Sequence, residues 1–92
     1  MMEKLHVPVY VSTTFFEESA ILLDSQKNRY YTLNDSAAEF WKLLTKLGSF
    51  EEAIEELSYL YEGYSDDFKK DMEFLVNDFM KAGLLETGAN IY

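Results

Sequence analysis

The side chains that could do acid–base, nucleophilic or metal chemistry are scattered along this sequence. His6 is the only histidine, and it is expected to lie in a frayed N-terminus. Cysteine is absent, which excludes thiolate nucleophiles and thiolate metal sites. Four glutamates within residues 51–56 fall on a polar helix face, and Asp66, Asp67 and Asp71 lack the glycine turn of a calcium loop. No glycine-rich phosphate loop occurs, and no serine or threonine has a base at motif spacing. We therefore expect no catalytic activity, no metal and no cofactor.

The charge of the chain also excludes partners. Seventeen acidic residues against eight basic residues give a net charge of −9. Nucleic acids and anionic lipids are bound through Lys and Arg, so neither is an expected partner. No apolar run is long enough to span a membrane and no signal peptide is evident, and a chain without cysteine suits the cytoplasm. At 92 residues we expect one domain, residues 1–92.

Three short runs in the first third of the chain predict an antiparallel sheet. Residues 7–16, 20–24 and 29–33 are rich in β-branched, aliphatic and aromatic side chains and are separated by short polar breaks. This spacing favours a meander in which the strands pair in the order one, two, three. The strands thus occupy about residues 7–34.

Helix signals fill the middle of the chain, about residues 35–83. Capping serines are expected at Ser36, Ser49 and Ser65, and glycines that end helices at Gly48, Gly63 and Gly83. Each of the three segments carries an apolar stripe with helical spacing, and these stripes are expected to be core positions. The stripes are Ala37, Phe40, Leu43, Leu44 and Leu47; Phe50, Ile54, Leu57 and Tyr61; and Phe68, Met72, Leu75 and Phe79. Trp41, next to the first stripe, is expected to pack partly under the sheet. Residues 84–92 would add a short wing or tail. The sequence therefore predicts an α+β fold, a three-stranded antiparallel N-terminal sheet followed by three helices.

The third strand is the most unusual of these elements. Neighbouring residues of a strand point to opposite faces, so Tyr30 and Tyr31 cannot both enter one core. In a meander this strand is an edge, and it has no proline and no inward charge to discourage pairing. The first strand carries Pro8, which removes a donor and is expected to guard the other edge. The edge at residues 29–33 is thus predicted to be available to another chain.

The last helix offers a second surface beside that edge. Phe74 lies off the main apolar stripe, on the flank that it shares with Asp71 and Asp78. Two interpretations stay open, since Phe74 either packs against the other helices or faces a partner. For Val76 and Met80, on the opposite flank, packing is favoured. An open strand edge beside an apolar and acidic helix flank suits an extended peptide that adds a strand.

The stretch ILLDSQKNRYYTLNDSAAEFWKLL resembles the PqqD family, whose members are also called recognition elements of ribosomally synthesised, modified peptides. The matching positions in this stretch are Asp24, Tyr31, Leu33, Asn34, Ala38 and Trp41. In the last helix and after it they are Asp71, Met72, Leu75, Phe79, Gly83, Leu84 and Leu85. The resemblance extends over about residues 7–87.

This resemblance implies a winged helix-turn-helix-like domain that binds the leader segment of a precursor peptide and delivers it to a processing enzyme. The leader would add to the third strand as an antiparallel strand and pack against the last helix. The implied peptide-binding residues are Arg29, Tyr30, Tyr31, Thr32, Leu33, Asp71, Phe74, Leu75 and Asp78. Tyr31 and Leu33 would face the core, and Tyr30 and Thr32 the opposite side. A free-standing chain of this length is most similar to the lasso-peptide version, in which the partner is a leader peptidase.

Other functions compete with this interpretation. The same fold would serve another pathway of peptide modification. It would also suit a structural domain in which the open edges of two copies pair. A monomer or a weak dimer is therefore expected. A DNA-binding winged helix is disfavoured by the net charge and by the four glutamates of the second helix.

Overall fold

The computed structural model describes residues 4–60 and 66–87, which form five strands and three helices. The strands are β1 (Leu5–His6), β2 (Val11–Phe15), β3 (Ala20–Asp24), β4 (Arg29–Leu33) and β5 (Glu86–Thr87). The helices are α1 (Asp35–Leu47), α2 (Phe50–Leu60) and α3 (Asp66–Lys81). Strands β2, β3 and β4 pair in that order as an antiparallel sheet, followed by the three helices. The predicted α+β, winged helix-turn-helix-like fold is thereby confirmed.

The first predicted strand is shorter than the sequence indicates. Residues 7–10 are not part of β2, because the backbone N–H of Val11 donates to the carbonyl of Pro8 across a turn, at 3.0 Å. Pro8 is therefore not an edge-strand residue, and the prediction that its missing N–H guards the first edge is wrong. Its carbonyl instead accepts a hydrogen bond from the backbone N–H of Val11, the first residue of β2.

The two ends of the described chain form a ladder of their own. Strand β1 pairs with β5 in the register Leu5↔Thr87 and His6↔Glu86, and His6 Nε2 lies 3.1 Å from Glu86 Oε1. The expected short wing after Leu85 is therefore present. The prediction that His6 lies in a frayed terminus is wrong, since it belongs to this ladder. The tail at residues 88–92 lies outside the described residues.

Backbone caps define the helices, with one correction. Helix α1 begins after Asn34, whose side-chain Oδ1 accepts from the Ala37 N–H at 3.3 Å, so the expected cap at Ser36 is wrong. Asn34 is the N-cap because its backbone is extended, with φ −85° and ψ −176°, as an N-cap requires. Ser49 caps α2 as predicted, through the Glu52 N–H. The predicted signals at Gly63 and Ser65 lie outside the described residues.

Replacing Asn34 with alanine tests this correction. We expect Asn34→Ala to lower the free energy of unfolding by about 1 kcal/mol, because a helix N–H loses its acceptor. Ser36→Ala is the matched control and should change stability by less than about 0.5 kcal/mol, since alanine is a better helix former than serine. Urea unfolding of both variants measures the difference. Equal losses, or a larger loss for Ser36→Ala, would restore serine as the cap.

Gly48 and Gly83 end α1 and α3 as predicted. Both have positive φ, 71° and 80°, which is the left-handed conformation that glycine adopts without strain. The Gly48 N–H donates to the Leu44 carbonyl at 2.7 Å, and the Leu84 N–H to the Phe79 carbonyl at 2.8 Å. These turns redirect the chain from α1 into α2 and from α3 into β5.

Side chains from all three helices and from the sheet meet in one core. Trp41, expected to pack partly under the sheet, is fully buried at 0% exposure. Eight residues of the predicted stripes are buried as well: Phe40, Leu43, Leu44, Phe50, Ile54, Leu57, Met72 and Phe79. Four others are partly buried against this core: Ala37, Leu47, Phe68 and Leu75. Tyr61, predicted for the second stripe, lies outside the described residues.

None of the described helices is sufficiently long and apolar to cross a membrane.

Candidate peptide-binding site

Among the strands that the structure describes, β4 has one neighbour, β3. It pairs with β3 in the register Asp24↔Arg29, Leu22↔Tyr31 and Ala20↔Leu33. Within residues 4–60 and 66–87 no strand pairs with its other side, so β4 is an edge of the sheet, as predicted. An edge strand presents backbone donors and acceptors to another chain.

The hydrogen-bond pattern identifies which of these groups face outward. The Ser25 N–H donates to the Tyr10 carbonyl at 3.0 Å, which makes Val11↔Asp24 a non-hydrogen-bonded pair of the β2–β3 ladder. Because such pairs alternate with hydrogen-bonded ones, the backbone groups of Asp24 turn toward β4. Arg29, Tyr31 and Leu33 therefore bond to β3. The N–H and C=O groups of Tyr30 and Thr32 point away from the sheet.

Side chains of β4 alternate as the sequence predicts. Leu33 is buried and Tyr31 is half-buried against the core. Tyr30 is 72% exposed, and Thr32 is exposed on the same face. Arg29 is exposed at the start of the strand. Tyr31 thus packs against the core, and Tyr30 lies on the outer surface of the sheet.

The outer face of the sheet carries no charged side chain. Tyr30 lies opposite Leu23, which is 43% exposed, and Thr32 lies opposite the half-buried Ile21. Ser12 and Thr14 of β2 complete this face. In a chain with 27% charged residues, this face is therefore a neutral, partly apolar surface next to the open edge.

The four candidate residues of α3 lie on one flank of the helix. Their spacing places Asp71, Phe74, Leu75 and Asp78 on neighbouring positions of successive turns. Asp71 and Asp78 are exposed, and Leu75 is half-buried against the core. Phe74 is 69% exposed and is not part of the core. Val76 on the opposite flank is buried and Met80 is half-buried, as predicted.

Core contacts hold α3 in place relative to the sheet. Phe79 packs edge-on against Trp41 with ring centroids 4.9 Å apart, and the Trp41 Nε1–H donates to Thr13 Oγ1 at 3.0 Å. At the end of α3, the Tyr10 hydroxyl donates to the Gly83 carbonyl at 3.4 Å. Within the described part of the chain, no hydrogen bond joins β4 directly to Asp71, Phe74, Leu75 or Asp78. The structure thus places the candidate residues on two separate surfaces, one on β4 and one on α3.

A further residue, Asp24, determines where β4 begins. Its carboxylate is fully buried, and Oδ1 accepts from the backbone N–H groups of Gln26 and Lys27, both at 3.0 Å. This arrangement closes the turn that leads into β4, with Asn28 in the left-handed conformation at φ 59°. Asp24 is part of the matching motif, but sequence reasoning missed this role. The signal was an aspartate at the start of a polar turn, where its side chain bonds the backbone two residues on.

No set of three or more His, Asp or Glu side chains in residues 4–60 and 66–87 could hold a metal ion. The arrangement offers hydrogen bonding along a strand, the exposed aromatic rings of Tyr30 and Phe74, and two carboxylates. It is suited to binding a chain segment.

Comparison with known proteins supports the motifs. The family described as coenzyme PQQ synthesis protein D, PqqD, matches residues 19–85, more than half of the chain. No curated protein matches the sequence significantly. A solved structure of TbiB1 in complex with the TbiA(beta) leader peptide is similar, with a TM-score of 0.82 and 20% identity over 92% of this chain and 99% of that one.

A second similar structure is lasso peptide synthetase B1 complexed with the leader peptide. Its TM-score is 0.78 and its identity 24%, over 90% of this chain and 98% of that one. At these identities the likeness of the two structures establishes the fold. Together with the family match and the motifs in β3, β4 and α3, it leads to one conclusion: this chain belongs to the PqqD family.

Proposed function

We propose that this chain is a non-catalytic adaptor that binds the leader segment of a ribosomally synthesised precursor peptide and presents it to a processing enzyme. The observation that carries the proposal is the open edge of β4, where Tyr30 and Thr32 offer two backbone donors and two acceptors. When a peptide adds to a sheet as a strand, hydrogen bonds to such backbone groups supply the affinity. Pockets that receive every second peptide side chain supply the specificity. Both similar solved structures are complexes with leader peptides, which supports a leader peptide as the ligand.

The bound leader runs antiparallel to β4, and its side chains alternate between two surfaces. One set lies beside Tyr30 and Thr32 on the outer face, and the other turns toward the flank of α3. There Phe74 and Leu75 supply apolar area, and Asp71 and Asp78 suit a basic or hydroxyl-bearing side chain of the leader. Arg29 to Leu33 supply the main-chain ladder.

The magnitudes are compatible with such binding. Micromolar affinity requires about 8 kcal/mol. Four backbone hydrogen bonds contribute about 0.5–1.5 kcal/mol each. Apolar contact with Phe74 and Leu75 adds about 25 cal/mol per Å² of area removed from water, before the cost of ordering the leader is subtracted. Hydrogen bonds alone are therefore insufficient, and the α3 flank is needed for affinity.

Among the possible processing enzymes, this proposal favours the leader peptidase of a lasso-peptide pathway. The likeness to lasso peptide synthetase B1 favours this pathway over others that use the same fold. The complex forms in the cytoplasm, where ribosomal precursors are made. Free of leader, the chain is a monomer or a weak dimer, and light scattering at two concentrations distinguishes these states.

A titration of a fluorescent leader peptide, taken from the precursor gene next to the gene for this chain, tests the proposal. Saturable binding measured by anisotropy is the expected result. Phe74→Ser should weaken this binding about tenfold, since an aromatic contact of about 1.4 kcal/mol is lost. Because Phe74 is exposed, the free energy of unfolding should change by less than about 0.5 kcal/mol.

Tyr59→Ser is the matched control for Phe74→Ser. Tyr59 is an aromatic residue of α2 with 76% exposure and lies outside the candidate site. It should leave the dissociation constant within about twofold of wild type. If both variants weaken binding equally, or if no saturable binding is observed, the proposed function is wrong.

A further inference from the structure

A groove on the other flank of α3 is unused by the proposed function. It has a volume of about 460 Å³ and lies between the start of α2, α3 and the β1–β5 ladder. Its floor consists of Leu5, Phe50, Val76 and Met80, the first three of which are buried. The volume is within the range of about 300–1,000 Å³ that is typical of binding clefts.

Acidic side chains outnumber basic ones among the described residues that line this groove. Glu51 and Glu73 are acidic, and Lys69 is the one basic residue of this described lining. Helix α2 contributes Phe50 and Glu51 to the lining, and over its length it has four exposed glutamates and neither lysine nor arginine. Charge complementarity therefore favours an occupant that carries lysine or arginine next to apolar side chains.

The same charge disfavours a second copy of this chain as the occupant. A symmetric dimer places the same patch on both subunits, so Glu51 and Glu73 of one copy would face the same residues of the other. Each copy also carries a net charge of −9. A basic segment of a different protein satisfies both the apolar floor and the acidic lining residues.

We propose that this groove docks a segment of the processing enzyme in which one or two apolar side chains are flanked by lysine or arginine. This inference rests on the proposed function, since it requires an enzyme that receives the leader. Val76 and Met80 face the groove, whereas Asp71 and Phe74 lie on the other flank of α3. Leader and enzyme therefore bind at the same time, on separate surfaces, as delivery requires.

Charge reversal at Glu73 tests the docking site. The probe is the purified processing enzyme encoded next to the gene for this chain, titrated by calorimetry in the presence of saturating leader at about 0.15 M salt. Glu73→Lys should weaken enzyme binding at least about tenfold, and Glu73→Gln should weaken it less. Glu73 is exposed, so both variants are expected to fold, which thermal unfolding checks.

Glu17→Lys is the matched control, since it makes the same change of net charge at the exposed turn between β2 and β3. It should leave enzyme binding within about twofold, because charges far apart are screened at this salt concentration. Leader binding, measured separately, should be unchanged in all three variants. Equal losses for Glu73→Lys and Glu17→Lys, no loss for Glu73→Lys, or no enzyme binding to wild type would each overturn the docking site. A failure of leader binding in wild type would instead overturn the proposed function.

Discussion

Replacing Thr32 with proline is expected to reduce leader binding at least about 30-fold while the protein stays folded. The Thr32 N–H points to the open side of β4, so its loss leaves the β3–β4 ladder intact. In the complex, the leader carbonyl that would accept from this N–H is left without a donor, which reduces the binding free energy by about 1–3 kcal/mol. The proline ring also obstructs the approach of the leader strand. A total of about 2 kcal/mol corresponds to the expected factor.

Thr32→Val is the matched control for this result. Valine keeps the backbone N–H, the branched shape and the strand preference, so leader affinity should stay within about twofold of wild type. Circular dichroism and urea unfolding verify that both variants fold. Wild-type affinity of Thr32→Pro would contradict strand addition at β4 and would move the leader to another surface, such as the edge of β2.

The sheet and helices were predictable because each depends on local patterns. Alternation in residues 20–24 and 29–33 and the apolar stripes of the helices are read directly from residue types. Errors occurred where two local signals competed. Asn34 and Ser36 both suit an N-cap, and the backbone geometry of residue 34 decided between them. The division of residues 5–15 into β1, a turn and β2 depends on pairing with β5, about 80 residues away in sequence, which no local pattern indicates.

The candidate site was predictable to a different extent on its two surfaces. Strand parity alone fixes which side of the sheet Tyr30 and Tyr31 occupy. The exposure of Phe74 could not be decided from spacing, because the width of an apolar helix face does not indicate which neighbours cover it. The outward direction of the Thr32 N–H depends on the register with β3, which is observed only in the folded chain.

Trp41→Ala is expected to lower the free energy of unfolding by about 3–5 kcal/mol, the largest effect on stability that we predict. Trp41 is fully buried, packs against Phe79 of α3 and donates to Thr13 of β2. It therefore connects the sheet, α1 and α3, the elements that carry the two surfaces of the site. A small domain has a total stability of about 5–15 kcal/mol, so a large part of it would be lost. Urea unfolding measures the change, and a loss below about 1 kcal/mol would contradict this role.

Thr13→Val separates the hydrogen bond from the packing of Trp41. Valine keeps the shape of threonine but leaves the buried Nε1–H without its acceptor, which should cost about 1–3 kcal/mol. Leader affinity of the folded fraction should stay within about twofold, since neither Thr13 nor Trp41 belongs to the proposed peptide-binding surfaces. Phe74→Ser should show the reverse, weaker binding at unchanged stability. If Thr13→Val instead weakened leader binding without loss of stability, the Thr13 side chain itself would contribute to leader binding, and this separation of core and site would be wrong.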